Sequence, residues 1–298
     1  MTESKFFMDF LFRLDNWLCL HIRKCGLENV SFFSERSVIY RFLLRDSKKC
    51  SPSKYDYDKK VGASDKIWVF WAQGYDSMPE VVRRCYKSIV ENRGDFEVVL
   101  LDMNNLLRYV DIPNYILQKV ENGSITLTHF SDVLRFSLLR KWGGYWMDST
   151  IFVSKRILNP NKLFTVKHQW NDFYVSGAQW CGFLWYMPKN HPLARFMVDY
   201  LYDYWCSYNY VIEYFLIDYL IRIFYEKNQN FRKELDGLSR SNPDLYFFQS
   251  SSSELCYDET RWQEIIKHTQ FFKTTWKSSK PMMKDGVLTF YGHFLQSK

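Results

Sequence analysis

The sequence predicts an α/β fold built around a parallel sheet, with a helical extension ahead of it, and three observations predict it. Apolar runs at Ile67 to Trp71 and Phe96 to Leu101 flank a segment in which Val82, Tyr86 and Ile89 recur at helical spacing after Pro79. A strand, a helix and a strand in that order make a βαβ unit, whose strands run parallel. A second helical segment, Thr128 to Trp142, leads directly into a third apolar run, Tyr145 to Val153. At 298 residues and 47% hydrophobic content the chain can bury a full core as one large domain, or as one domain plus an extension.

Residues 1–62 mix aromatic and basic side chains, and Phe6, Phe7, Phe10, Leu11, Leu14 and Leu18 fall on one side of a helix. That helix either packs on the main domain or rests on anionic lipid, although Asp9 and Asp15 weaken the basic face that lipid binding wants. The polar stretch Ser47 to Lys60 closes the extension, and residues 63–298 form the main domain. The first strand runs into Trp71, Ala72, Gln73 and Gly74. Ligands in open parallel sheets bind beyond the carboxyl ends of the strands, so this loop and the region after Asp102 mark the expected binding edge.

The helix from Thr128 to Trp142 carries an apolar face of Phe130, Val133, Leu134 and Leu138. Arg140 and Lys141 suit the negative end of its dipole, and Gly143-Gly144 supplies the stop. Ser131, Asp132 and Arg135 lie within one turn, opposite Phe130 and Leu134. They read either as a solvated Asp–Arg pair or as part of a site. Asp148 falls in the middle of the last apolar run, and a carboxylate taken from water needs a cation or several hydrogen bonds. It is either capped by backbone N–H groups or holds a divalent metal or a ribose hydroxyl beside a diphosphate.

The formal charge of +7 favours phosphates, acidic glycans or a membrane surface. Nucleic acid is not expected as a partner, because no dense basic run alternates with aromatics. Aromatic residues make up 19% of the chain, which serves either an aromatic core or stacking on bases and sugars. The seven cysteines are widely spaced and form no CxxC pair, which points to reduced thiols in a cytosolic setting. No secretory signal is recognised, and the run Val211 to Phe224, broken by Glu213, Asp218 and Arg222, is too short to span a bilayer. The expected location is cytoplasmic, peripheral at the inner face of the plasma membrane if the first helix meets lipid. Six histidines without ligand spacing argue against a zinc enzyme. The absence of GxSxG, GxxxxGK[ST] and GxGxxG lowers hydrolase, P-loop kinase and dehydrogenase readings.

The runs Thr128-His129-Phe130-Ser131-Asp132-Val133-Leu134-Arg135 and Gly143-Gly144-Tyr145-Trp146-Met147-Asp148-Ser149-Thr150 together resemble the signature of capsular polysaccharide synthesis glycosyltransferases. These belong to the wider DXD-containing sugar transferases of the glycosyltransferase family thirty-two type. The resemblance extends to Lys66 through Gly74, and more faintly to Phe215 through Tyr219 and to Thr275-Trp276-Lys277.

It implies a Rossmann-like nucleotide-sugar-binding domain of the glycosyltransferase A type, retention of anomeric configuration, and Mn²⁺ or Mg²⁺ on the donor diphosphate. By position it implies that Trp71, Gln73 and Gly74 lie against the nucleotide. Ser131, Asp132 and Arg135 would contact the ribose or donor sugar, with Gly144, Tyr145 and Thr150 lining the same site. Asp148 would be the first acid of the DXD element and a metal ligand. Thr150 stands where the wider group has its second Asp, which leaves one carboxylate for cations that prefer several oxygen ligands.

Asp218 is the candidate carboxylate on the acceptor side, against a plain helix-surface charge. His293 is the candidate that closes a metal site from the C-terminal segment. The expected partners are a nucleotide-sugar donor, most simply a UDP-sugar, and a glycan or lipid-linked glycan acceptor. The rival readings are a catalytically silent glycan-binding or scaffolding member of a polysaccharide assembly, and a membrane-surface adaptor driven by residues 1–62.

Overall fold

The computed structural model describes residues 39–46, 50–56, 62, 64–168 and 175–296. The one-sided helix expected from Phe6 to Leu18 lies outside the described residues. Seven strands position the site: β1 (Lys66–Phe70), β2 (Glu97–Leu101), β3 (Gly144–Met147), β4 (Ile151–Val153), β5 (Phe164–Thr165), β6 (Leu184–Met187) and β7 (Phe271–Lys273). Five of them form one sheet in the order β2-β1-β3-β6-β5. β1 pairs in parallel with β2 and β3, as the βαβ reading requires, whereas β6 runs antiparallel to both β3 and β5. The sheet is therefore mixed, with its parallel part confined to the first three strands. β4 leaves it altogether and pairs with β7 in a separate antiparallel ribbon.

The apolar run from Tyr145 to Val153 is thus two strands in two sheets. Asp148, Ser149 and Thr150 form a turn between them, closed by Ile151 N–H on the Asp148 carbonyl at 2.9 Å. Three consecutive polar side chains end the strand, since each prefers turn geometry to a dry pleat. Asp148 is consequently a strand-end residue and not a mid-strand one.

The helices are α1 (residues 39–46), α2 (Glu80–Asn92), α3 (Asn114–Glu121), α4 (Leu127–Lys141), α5 (Pro192–Ser207), α6 (Leu216–Lys227), α7 (Gln229–Asp236), α8 (Glu259–His268) and α9 (Phe290–Gln296). α2 starts after Pro79, whose fixed φ suits the entry to a helix. α4 starts at Thr126, whose hydroxyl accepts from the His129 N–H. It ends with Arg140 and Lys141 in its last turn and Gly143 in the left-handed region beyond.

α4 is not amphipathic in the folded chain. From His129 to Leu139 every residue except Ser131 is buried, because the helix lies between the sheet and α5. The expected polar face of Asp132 and Arg135 is therefore inside the protein, where each must find a partner.

Side chains alternate across the strands. Trp68, Phe70, Trp146 and Trp185 face α4, α5 and α6, while Ile67, Val69, Tyr145 and Tyr186 face α2 and the β4–β7 ribbon. A third cluster joins Val81 and Cys85 of α2 to Phe152, Phe248, Phe272 and Phe294. The described part of the N-terminal segment shares the main core: Ile39 and Leu43 are buried in it, and the Tyr55 ring meets Phe196 and Phe224 edge-on. Among the described residues no helix is long and apolar enough to cross a membrane, and Cys85, Cys206 and Cys256 are free thiols.

Candidate functional site

Parallel pairing brings the carboxyl ends of β1, β2 and β3 to one edge. At the end of β1 the ladder continues through Trp71 N–H on the Leu101 carbonyl at 2.9 Å and Met103 N–H on the Ala72 carbonyl at 3.1 Å. Gly74 then turns the chain with φ +82°, a value that L side chains adopt only with strain. At the end of β2, Asp102 accepts from Asn104 and Asn105 N–H at 2.8 and 2.9 Å, so its carboxylate shapes its own turn. The end of β3 delivers Asp148.

Three side-chain donors converge on Asp148. Its Oδ1 accepts from Trp146 Nε1 at 2.9 Å and Arg135 Nη2 at 3.3 Å, and its Oδ2 accepts from Lys273 Nζ at 3.0 Å. The same ammonium donates to Thr150 Oγ1 at 2.8 Å. Burial pushes the Asp148 carboxyl up, but Lys273, then Arg135 and the Trp146 indole, outweigh it and hold the group below the usual carboxylate range. The side chain keeps 28% of its surface, so the carboxylate is both fixed and reachable.

Arg135 stands behind it, only 3% exposed, over the Trp146 ring at 5.2 Å and 3.0 Å from Asp132 Oδ1. The Asp132 carboxyl is raised to about 7: burial pushes it up most, Arg135 pulls it down, and Asp148 and Asp218 push it up. Asp218, in the first turn of α6, accepts from Trp180 Nε1 at 2.7 Å. The Asp218 side chain is half-buried, and its charge bears on Asp132.

The remaining candidates divide. Trp71 meets Trp276 edge-on at 5.8 Å between ring centroids, and Trp276 is about half exposed. Gln73 is exposed in the same loop. Thr150 is bound to Lys273, and Ser131 spends its hydroxyl on the Thr128 carbonyl of its own helix at 2.7 Å.

Gly144 is required by the sheet: its φ is +96°, and a Cβ there would overlap the Lys66 carbonyl oxygen of β1. Two placements correct the sequence reading. Tyr145 points to the opposite face from Trp146, its ring among Phe96, Phe164 and Tyr186 and its hydroxyl on the Leu158 carbonyl at 3.3 Å. His293 stacks on Tyr257 at 3.6 Å beside the third cluster and is not among the partners of Asp148. What the C-terminal segment does bring to the edge is Lys273 and, three residues on, Trp276. The short run Phe271-Phe272-Lys273 reads only as a strand, and no local pattern reveals that its Lys reaches Asp148 across 125 positions.

A divalent metal does not fit these side chains. Among the described residues no three His, Cys, Asp or Glu side chains group closely enough to hold an ion. Both Asp148 oxygens and the Thr150 hydroxyl already serve fixed donors. Like unit charges 4 Å apart repel by about 4 kcal/mol under surface-like screening, and a divalent ion beside Lys273 or Arg135 roughly doubles that.

Residues 22–294 match the model of a family described as capsular polysaccharide synthesis protein. Over 104 residues the chain is 34% identical to O-glycosyltransferase braB of Annulohypoxylon truncatum, covering 32% of this chain and 25% of that protein. Over 105 residues it is 30% identical to probable glycosyltransferase FCK3 of Fusarium pseudograminearum (strain CS3096), covering 32% and 27%. The chain spans about a quarter of the length of these curated relatives. The solved PaToxG glycosyltransferase aligns over 68% of this chain and 90% of its own, at 13% identity and a TM-score of 0.33, a likeness too slight to carry an argument.

Proposed function

This chain belongs to the capsular polysaccharide synthesis protein family, and on that premise we propose that it is a retaining glycosyltransferase. It moves a sugar from a nucleotide-sugar, with a UDP-sugar the expected donor, to a glycan or lipid-linked oligosaccharide in capsular or surface polysaccharide synthesis. One observation carries this reading: an ionised carboxylate, two cations and a pair of indoles meet at the carboxyl edge of three parallel strands. That is the edge at which such sheets bind nucleotides. The same observation supports a Rossmann-like unit of the glycosyltransferase A type over residues 63–298. Of the two readings of residues 1–62 in a cytoplasmic enzyme, packing on the main domain is favoured over contact with the inner face of the membrane by Ile39, Leu43 and Tyr55 in the main core.

The roles follow from the chemistry. Trp71 and Trp276 offer flat faces to a base. A carboxylate has about four lone-pair sites, and Asp148 uses three, so Oδ2 keeps one to accept from a ribose or sugar hydroxyl. Transfer breaks the bond between the anomeric carbon and the β-phosphate oxygen, which keeps the electron pair. The acceptor hydroxyl oxygen bonds to that carbon, and its proton needs a base. Asp132, with its carboxyl at about 7, is suited to take that proton at neutral pH, and Asp218, whose charge bears on it, orients the acceptor.

The test is nucleotide release by the purified protein from a panel of UDP-, GDP- and CMP-sugars, with Asp148→Asn alongside. Release from one donor, abolished in the variant, is expected. The second reading, a catalytically silent glycan-binding member of an assembly, is favoured by Thr150 in place of a second acid; it predicts glycan binding with no release from any donor.

A further inference from the structure

We propose that the Lys273 ammonium supplies the positive charge that a divalent ion would bring, and that this chain binds and discharges its nucleoside diphosphate without a metal, a role that rests on the donor-site reading. Three observations carry it. The ammonium bridges Asp148 Oδ2 and Thr150 Oγ1, the first and third positions of the element in which the wider group of sugar transferases has two acids. A metal held by that element would need the oxygens that Lys273 already occupies.

The cation is also fixed in advance. In the β4–β7 register Lys273 lies opposite Ile151, the residue after Thr150. Lys273 N–H donates to the Leu245 carbonyl at 2.7 Å, and the Thr150 carbonyl accepts from both the N–H and the hydroxyl of Thr274 at 2.9 Å. The lysine backbone is therefore clamped on the turn that carries Asp148, and a preorganised charge needs no reorganisation as the leaving group forms.

Finally, the ammonium is reachable and has capacity to spare. Of its three hydrogens two are committed, to Asp148 and Thr150, and no other oxygen takes the third among the described residues. The nitrogen sits 4.6 Å over the Phe183 ring, and the side chain keeps 17% of its surface. When the anomeric C–O bond breaks and its electron pair stays on the β-phosphate oxygen, that third N–H can donate to the diphosphate. The proton stays on nitrogen, and the charge is neutralised by a charge-assisted hydrogen bond.

The experiment is titration calorimetry of UDP into the full chain, in EDTA and in Mn²⁺ or Mg²⁺, for the wild type and for Lys273→Met with its fold checked by circular dichroism. The expected result is wild-type affinity that is the same in EDTA as in metal. Lys273→Met should weaken it about 10- to 100-fold in both, the worth of one charge-assisted hydrogen bond. Binding that is lost in EDTA and restored by Mn²⁺ or Mg²⁺ overturns the proposal, and that comparison needs no variant. So does a folded Lys273→Met that binds UDP as the wild type does. A wild type that binds neither UDP nor GDP in any buffer overturns the donor-site reading itself, a result distinct from metal-dependent binding.

Discussion

Asp148 and Lys273, 125 positions apart in the chain, meet at 3.0 Å between Oδ2 and the ammonium nitrogen, and Arg135 closes on the other oxygen of the same carboxylate. Asp148→Asn keeps the shape but removes the charge that both cations share. We expect loss of sugar transfer together with about 1–3 kcal/mol of stability, since an amide cannot accept from donors at both ends. Denaturant unfolding beside the release assay checks it; full turnover in the variant removes Asp148 from the chemistry.

Arg135 is the more deeply buried of the two cations, between Asp132 and Asp148 and over Trp146. Arg135→Met leaves two carboxylates without their shared cation, and the expected loss is about 3–5 kcal/mol. Arg135→Lys is not conservative here, because a point charge cannot serve two carboxylates and lie flat on an indole. Urea titration of both variants reads this directly, and a stability unchanged by Arg135→Met refutes it.

The raised Asp132 carboxyl gives stability a pH dependence of known sign. Its folded value is about 7 against an ordinary value of 3.8, so between these the folded chain holds a proton that the unfolded chain has lost. This group's contribution falls as pH rises from about 4 to about 7 and is level above. Asp132→Asn lacks that proton equilibrium. The melting temperature of the variant relative to wild type should therefore climb across the same window and then hold. Parallel curves at every pH would mean that Asp132 titrates elsewhere.

Two glycines assigned to the donor site separate by their surroundings. A Cβ at Gly144 overlaps the β1 backbone at positive φ, so Gly144→Ala should cost about 3 kcal/mol or more. A Cβ at Gly74 meets only Asp102 Oδ2, at 3.5 Å, and Gly74→Ala should cost about 1–2 kcal/mol from backbone strain. Thermal melts of the pair test the order of the two losses.

Trp71 and Trp276 should share the base. Removing either ring is expected to weaken UDP binding by about 1–3 kcal/mol, the scale of base–aromatic stacking. Calorimetry of Trp71→Ala, Trp276→Ala and the double variant gives the coupling, and unchanged affinities place the base elsewhere.

Much of this was legible because it is local. β1, α2, β2 and α4 follow from hydrophobic period and end signals, and Asp148, Arg135 and Asp132 from one short stretch of chain. What stayed hidden depends on tertiary contact. An apolar period cannot tell that Tyr145 to Val153 breaks between two sheets, though the polar triplet Asp148-Ser149-Thr150 marks the place. Strand alternation decides that Trp146 faces Arg135 while Tyr145 faces away, and an apolar run does not say which face is which. Lys273 has no sequence signature at all, because its meaning comes from a register formed with a strand far upstream.

That register also sets an order of events during synthesis. All five strands of the main sheet end by Met187, and α6, with Asp218, by Lys227, so the growing chain can assemble the sheet with three of its carboxylates while the ribosome is still translating the rest. Until Phe271 to Lys273 emerges and pairs with β4, Asp148 has Arg135 alone to answer its charge. A nascent chain is therefore a folded platform before it is a finished site, and translation through Lys273 is what arms it.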